Sequence, residues 1–557
     1  MSYSSRSALS LARFRGFEVT AVGSVTALRV SLWIVLAFLV LLPLGAVISL
    51  ALTGNSWHEI INSSVLEATF NSVVSATVSA ALAVLFGTLL AVLLHRTDIR
   101  GARFLRLLAL SPMLVPPFVG AIAWLSLLGP TSALNNWWAG HFGSPLWNLY
   151  GADGVIFLLT LHSIPIAMII VNQTLNRIPA DLEQAARIAG ANGIQTALHI
   201  TIPLLWRAIT AAFTLIAVSN LADFGIPAII GLPERYQTLA TTVYRYLQSA
   251  TVVDPLATVA TIGFVLLLLA VFGLVISFNR DSGNELDTSN ARPAILSLGR
   301  WRNLTSLLTA ILILAVTILP LCTLTVAALL PAPGVALTLD NISLDGFVKA
   351  LTAPATMTGI TNSLMLASLA AVICWILGLA VGTLVTRTRA RSNRLLSTIA
   401  LLPQAVPGLI IAVAWLLLAP MLGLINTPWI ILLAYVTAFL SLVVQAVIAP
   451  LATTPNTAED AARISGASPL RALWDISCRM AIPAATSGAI LVALTAVREL
   501  TLSVLLLSPG SQTLGVVIFN LHQSGNYSAS AALSVIVTIV GLLLLTVTVR
   551  GSKSLVK

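Results

Sequence analysis

Charge is what this sequence has least of. Asp, Glu, Lys and Arg together make up 9% of its 557 residues, against 58% hydrophobic ones, where soluble domains carry roughly 25% charged and 45–50% apolar residues. So few charged side chains cannot cover a water-exposed surface, which excludes a soluble globule, a disordered chain and a nucleic-acid-binding array. Cysteine is scarce as well. Cys322, Cys374 and Cys478 are an odd set without CxxC or metal-ligand spacing, which argues against a disulfide framework or a zinc site. The histidines, at 58, 95, 141, 162, 199 and 522, are scattered and form no cluster with acids that would hold a metal. There is also no Gly-x-x-x-x-Gly-Lys-Ser/Thr phosphate loop, so the chain is not expected to bind ATP in that manner. The formal charge is +10. In a chain with a mean hydropathy of +0.98, that excess reads as a topology signal beside a membrane rather than as affinity for nucleic acid.

What the chain does have is long apolar runs. Twelve stretches of about 20 residues, the length that crosses a bilayer core as helix, lie at roughly 29–52, 66–94, 104–128, 154–175, 205–231 and 255–278, then 303–330, 361–386, 395–419, 429–451, 484–507 and 527–549. Lipid offers no water to backbone N–H and C=O groups and no alternating barrel pattern appears. The expected fold is therefore all-α, a polytopic membrane protein of about 12 transmembrane helices. The first run follows Arg6, Arg13, Arg15 and Arg29 but is too long for a signal peptide and lacks a small-x-small cleavage site, so it reads as an uncleaved helix. With a cytoplasmic amino terminus, every Lys and Arg except Arg235, Arg245, Lys349 and Arg498 falls on the cytoplasmic side. That asymmetry predicts both termini in the cytoplasm. The Trp residues, many near run ends, read as interfacial anchors.

The sequence also repeats itself. Asn71-Ser72, Gly87, Arg96-Thr97, Pro112, Pro116 and Trp124 recur 291 positions later as Asn362-Ser363, Gly378, Arg387-Thr388, Pro403, Pro407 and Trp415. Beyond the third run the offset falls to 276, leaving 15 extra residues in an outer loop of the first half around Asn135-Asn136-Trp137-Trp138 and Trp147. The chain thus divides into a first six-helix repeat at 1–278, a polar linker at 279–303 and a second six-helix repeat at 304–557. Six is even, so both repeats insert with the same orientation, which implies a pseudo-two-fold axis along the membrane normal and a path between the halves. Pro112, Pro116 and Pro117, and Pro403 and Pro407, fall mid-run and are expected to bend those helices.

Between the fourth and fifth runs of each half lies a duplicated segment, at about 177–207 and 453–483, that is too polar to enter lipid. It carries Glu183-Gln-Ala185-Ala186-Arg187-Ile-Ala-Gly190 in one copy and Glu459-Asp-Ala461-Ala462-Arg463-Ile-Ser-Gly466 in the other. Pro179 and Pro455 precede them, predicting a short helix with its acid in the first turn, where the dipole favours it. Glu183, Ala186, Arg187 and Gly190 share one helical face, and Gly190 and Gly466 permit a turn. One such copy would read as a solvated connector; two at equivalent positions suit the docking of a two-fold soluble partner.

These loops resemble the coupling-loop motif of permease subunits in binding-protein-dependent ABC importers, and the duplication resembles the fused permeases of the ferric iron type. The resemblance covers nearly the whole chain and extends to Ala222-Asp223-Phe224-Gly225-Ile226-Pro227, Arg498-Glu499-Leu500-Thr501 and Ser508-Pro509-Gly510. It implies the type I importer fold in a bacterial inner membrane. It also implies a cytoplasmic ABC ATPase in two copies gripping the loops, a periplasmic binding protein delivering cargo, and ATP used by that partner with no cofactor on this chain. Ferric iron is the implied cargo, with polyamine, thiamine or a phosphonate as alternatives. One departure stands out: the first loop ends in Ile202-Pro203, whereas the position equivalent to Pro203 in the second is Arg479. A secondary transporter with parallel repeats would share the twelve spans, but it would be expected to carry coupling acids deep in several helices and to lack docking loops.

Charged residues inside spans are costly and usually functional. The deep ones here are few: Asp223 and, at the repeat-equivalent place, Glu499 beside Arg498. Two readings stand, a gate or transient cargo contact and a structural ion pair. Asn71 and Asn362 open the second and eighth spans and read as helix caps.

Overall fold

The computed structural model describes residues 25–54, 56–60, 63–249, 254–278 and 297–555. Most of the linker expected at 279–303, and Arg6, Arg13 and Arg15, lie outside them. No strand occurs among the described residues. Helices long and apolar enough to cross a membrane are Val25–Thr53, Ser64–Arg96, Pro117–Phe142, Ala152–Leu175, Ala197–Leu221 and Pro255–Gly273 in the first half. In the second they are Gly299–Leu329, Pro354–Arg387, Trp429–Thr453 and Pro469–Val497. The last expected span is a helix over Tyr527–Leu555. The ninth is a bent pair.

That bend departs from a simple kink. Asn393–Gln404 and Gly408–Leu422 meet at 102°, and the matching stretch of the first half breaks into Ala102–Ala109, a 3₁₀ turn at Ser111–Leu114 and a new helix from Pro117. Proline removes an N–H and pushes the residue before it out of the α region. Val115 takes ψ 131° before Pro116, and Pro116 and Pro407 themselves take ψ 139° and 133°. The paired prolines therefore end one helix and start another. Hydropathy had joined them into one run.

The helices pack into two compact units that do not follow the sequence halves. One comprises the described residues of Thr53–Gly359 with Leu514–Leu545; the other comprises those of Met1–Leu52, Ile360–Thr513 and Thr546–Lys557. We call them the first and second lobes. The opening helix of each half thus belongs to the lobe built by the other half. In the second lobe, Thr437 Oγ1 donates to the Leu39 carbonyl at 3.0 Å and Phe38 meets Trp415 edge-on at 5.7 Å. In the first lobe, Arg302 Nε donates to the Asp98 carbonyl at 2.6 Å and lies 3.4 Å from its carboxylate.

Each lobe is centred on one close crossing. A Cβ placed on Gly87 would stand 2.5 Å from that of Ala167, and one on Gly378 would stand 2.6 Å from the Val443 side chain. Small residues at such a crossing let helix backbones approach, the usual means of packing where lipid supplies no hydrophobic drive. The crossing brings the ends of Ser64–Arg96 and Pro354–Arg387 beside the duplicated loops.

Candidate functional site: the repeated loops

In the first lobe the loop begins with the helix Ala180–Ile188, opened by Pro179. Its acid points inward. Glu183 is 4% exposed; Thr201 donates to its Oε1 at 3.0 Å and Arg96 Nη1 lies 3.7 Å from its Oε2. Arg96 is the last residue of its span, and its Nη2 also donates to the Leu175 and Ile178 carbonyls at 2.6 and 3.4 Å. One guanidinium therefore ties together the end of the second span, the end of the fourth and the loop helix. The other lobe repeats the arrangement. Glu459 of Thr457–Ile464 lies 3.1 Å from Arg387 Nε and accepts from Ser477 at 2.5 Å, while Arg387 Nη1 donates to the Thr454 carbonyl at 2.8 Å and to Asn456.

This revises the expected outward face. Glu183 and Glu459 do not stand with Arg187 and Arg463 on an exposed surface; they are latched beneath it. A carboxylate out of water is stabilised only when paired and hydrogen-bonded, as each is here. The surface left open contains Ala185, Arg187, Ala461 and Arg463, with Ala186 and Ala462 half-buried. Its tip is an apolar residue in each copy, Ile188 and Ile464, both 88% exposed.

The glycines explain how each helix ends. Gly190 and Gly466 both take φ +93°, the left-handed region that suits a residue without Cβ. Their N–H groups donate to Arg187 and Arg463, and those of Ala191 and Ala467 reach back to Ala186 and Ala462, each at 3.0 Å. This is a Schellman closure, and it fixes why Ala-Arg-x-x-Gly-Ala recurs. Both loops then re-enter through π-helical turns, Ala197–Thr201 and Leu473–Cys478. Arg479 in place of proline leaves this path unchanged; its Nη2 lies 3.7 Å from Asp475 at an exposed position.

Asp223 and Glu499 occupy matched breaks, where the fifth and eleventh spans stop and restart. Asp223 Oδ1 accepts from the Ile226 N–H at 2.9 Å. Both Glu499 oxygens accept from Leu502 N–H, at 2.9 and 2.8 Å, and Oε2 also from Ser503 N–H at 3.2 Å. Each acid caps the restarted helix, a structural task that neither the gate reading nor the ion-pair reading named. Arg498 Nε donates to the Leu494 carbonyl at 3.1 Å.

Asn71 and Asn362 are not helix caps, because they sit inside Ser63–Arg96 and Pro354–Arg387. Asn71 donates to the Gln237 carbonyl at 3.0 Å; Asn362 donates to those of Gly510 and Gln512 at 2.8 and 2.9 Å. They pin a segment that recurs in both halves, Gln237-Thr238-Leu239 and Gln512-Thr513-Leu514. Among the described residues no group of three or more His, Cys, Asp or Glu could hold a metal ion.

Comparison with known proteins places this geometry in a family. Residues 83–281 and 375–556 match the binding-protein-dependent transport system inner membrane component. The chain is 25% identical over 504 residues to the ferric transport system permease protein FbpB of Actinobacillus pleuropneumoniae, covering 86% of this chain and 69% of that protein. It is 24% identical to the Fe(3+)-transport system permease protein FbpB 2 of Haemophilus influenzae, over 80% of this chain and 82% of that one. A probable molybdenum ABC transporter permease of Haloferax volcanii is 31% identical over 34% of this chain and 68% of its own length. Two copies of one transport domain thus account for most of the sequence, and the chain belongs to the multi-pass inner-membrane components of binding-protein-dependent transport systems.

Proposed function

We propose that this protein is the fused permease of an importer for ferric iron, moved by a separate ATPase that grips the two repeated loops. The observation that carries the coupling role is the paired latch: an exposed loop tip, Ile188 or Ile464, on a helix whose buried acid is bound to the last residue of a membrane span. Force applied to the tip passes through a charge-assisted contact into a rigid helix rather than into a slack loop. Two latches suit two ATPase copies, one per loop. Both termini and both loops then face the cytoplasm, consistent with the arginine asymmetry. ATP is hydrolysed by the partner, no cofactor is held by this chain, and cargo arrives from a periplasmic binding protein. Nucleotide-driven closure of the ATPase would draw the loops together and swing the spans between inward-open and outward-open states.

Iron is favoured because two ferric relatives align over 80–86% of this chain, whereas the molybdenum relative aligns over 34%. The test is reconstitution in liposomes with the ATPase and binding protein encoded beside this chain, following radiolabelled ferric iron. Uptake should require all three proteins and ATP. Uptake by the purified chain alone would make it a secondary transporter, and uptake of molybdate but not iron would reassign the cargo.

A further inference from the structure

The two latches have different surroundings. In the first lobe the residue two beyond Arg96 is Asp98, whose carboxylate accepts from the Leu298 N–H at 2.9 Å and pairs with Arg302. The repeat-equivalent residue in the second lobe is Arg389. The charge is reversed, and instead of a closed pair there is an open pocket of about 580 Å³. Arg29, Arg387, Arg389 and Arg463 line it, against the two acids Glu459 and Asp460. Arg29 reaches in from the opening helix, its Nη2 donating to Thr388 at 3.2 Å.

The excess positive charge is not absorbed internally. The Arg387 side chain is 3% exposed, yet its Nη2 has no hydrogen-bond partner, and neither has the buried Nε of Arg29. These atoms, with the unpartnered Oε2 of Glu459, are sealed from solvent beneath the pocket, so the cations an occupant can reach are the exposed guanidinium groups of Arg389 and Arg463.

We propose that this pocket binds a phosphate group. The exposed guanidinium donors of Arg389 and Arg463 take the phosphate oxygens, to which arginine is matched in geometry and charge. Monohydrogen phosphate and the headgroup of phosphatidylglycerol both offer that chemistry. The inference does not depend on the cargo or on the ATPase. A ligand here would brace the second lobe's latch alone, because Asp98 and Arg302 already fill the matching place in the first.

The test uses the full-length permease without its ATPase. Thermal midpoints are measured in detergent in sodium phosphate and in sodium chloride at equal ionic strength, and in nanodiscs of phosphatidylglycerol or phosphatidylcholine. The wild type should gain about 2–4 °C from the phosphate-bearing ligand. Arg389→Asp, which copies the first lobe, should lose most of that gain, as should Arg389→Gln if the reversal perturbs folding. Arg391→Asp, the same charge change at an exposed residue outside the pocket, should keep it. A gain from inorganic phosphate in detergent identifies a soluble ligand; a gain only in phosphatidylglycerol identifies lipid. No gain in either medium, or equal loss in Arg389→Asp and Arg391→Asp, overturns the proposal. A loss of ATPase recovery in Arg389→Asp without any ligand effect also overturns it, in favour of a partner carboxylate.

Discussion

The two lobes solve one problem with the same parts and different fastenings. In both, an arginine at the end of a span holds a buried glutamate, a hydroxyl supports that glutamate, and a Schellman glycine closes the helix. Around this constant centre the second lobe exchanges Asp98 for Arg389 and Pro203 for Arg479. What stayed the same is what touches the buried charge. What changed lies toward solvent, where a substitution alters a contact without stranding a carboxylate. The difference separates the parts that hold the buried charge from the parts that merely surround it.

Substitutions can break or sharpen that equivalence. The largest effect is expected from Arg387→Ala, which leaves Glu459 buried without its cation. A loss of about 3–5 kcal/mol is expected, seen as a lower thermal midpoint in detergent together with abolished uptake. Arg96→Ala should match it, and a much milder result in one lobe would show that only the other carries the load. Gly466→Ala forces a Cβ into φ +93°, where nothing stands within 4 Å of it. The cost is then backbone strain of about 1 kcal/mol, and Gly190→Ala should lower the midpoint equally. Ile464→Ser and Ile188→Ser should each change stability by no more than about 0.5 kcal/mol while lowering ATPase recovery on a tagged permease. Unchanged recovery would remove the loop tips from the docking surface. Arg479→Ala should do least, because its only described ion pair joins side chains 70% and 41% exposed, and such pairs contribute about 0–1 kcal/mol. A clear fall in uptake there would mean that the return path, and not only the latch, differs between lobes.

Much of this was legible in the sequence. Apolar run length announced the spans, and the register of Asn-Ser, Gly, Arg-Thr and Glu-x-Ala-Ala-Arg announced the duplication. The partner of the glutamate was not legible. Helical spacing places Glu183 beside Arg187, four residues on, whereas the structure pairs it with Arg96, which precedes the third and fourth spans. The signal was nevertheless present, since Arg96 and Arg387 repeat alongside the acids. Topology alone explained those arginines, so their second role stayed hidden. The prolines announced a bend in the third and ninth spans, but a hydropathy window averages over Pro116 and Pro407 and cannot register that one helix ends there and another starts. The caps formed by Asp223 and Glu499 were hidden likewise, because a charge in an apolar run gives no sign that the helix stops and restarts around it.

The exchange of opening helices sets a timetable for biogenesis. The carbonyl of Leu39 waits for the hydroxyl of Thr437, 398 positions downstream. At a translation rate of about 5–20 residues per second, that wait lasts about 20–80 s. During this interval the first helix stands in the bilayer without its native neighbours, open to mispairing with any passing apolar surface. Joining both halves in one polypeptide keeps the awaited partner tethered, so assembly becomes a matter of synthesis time rather than of chance encounter in the membrane.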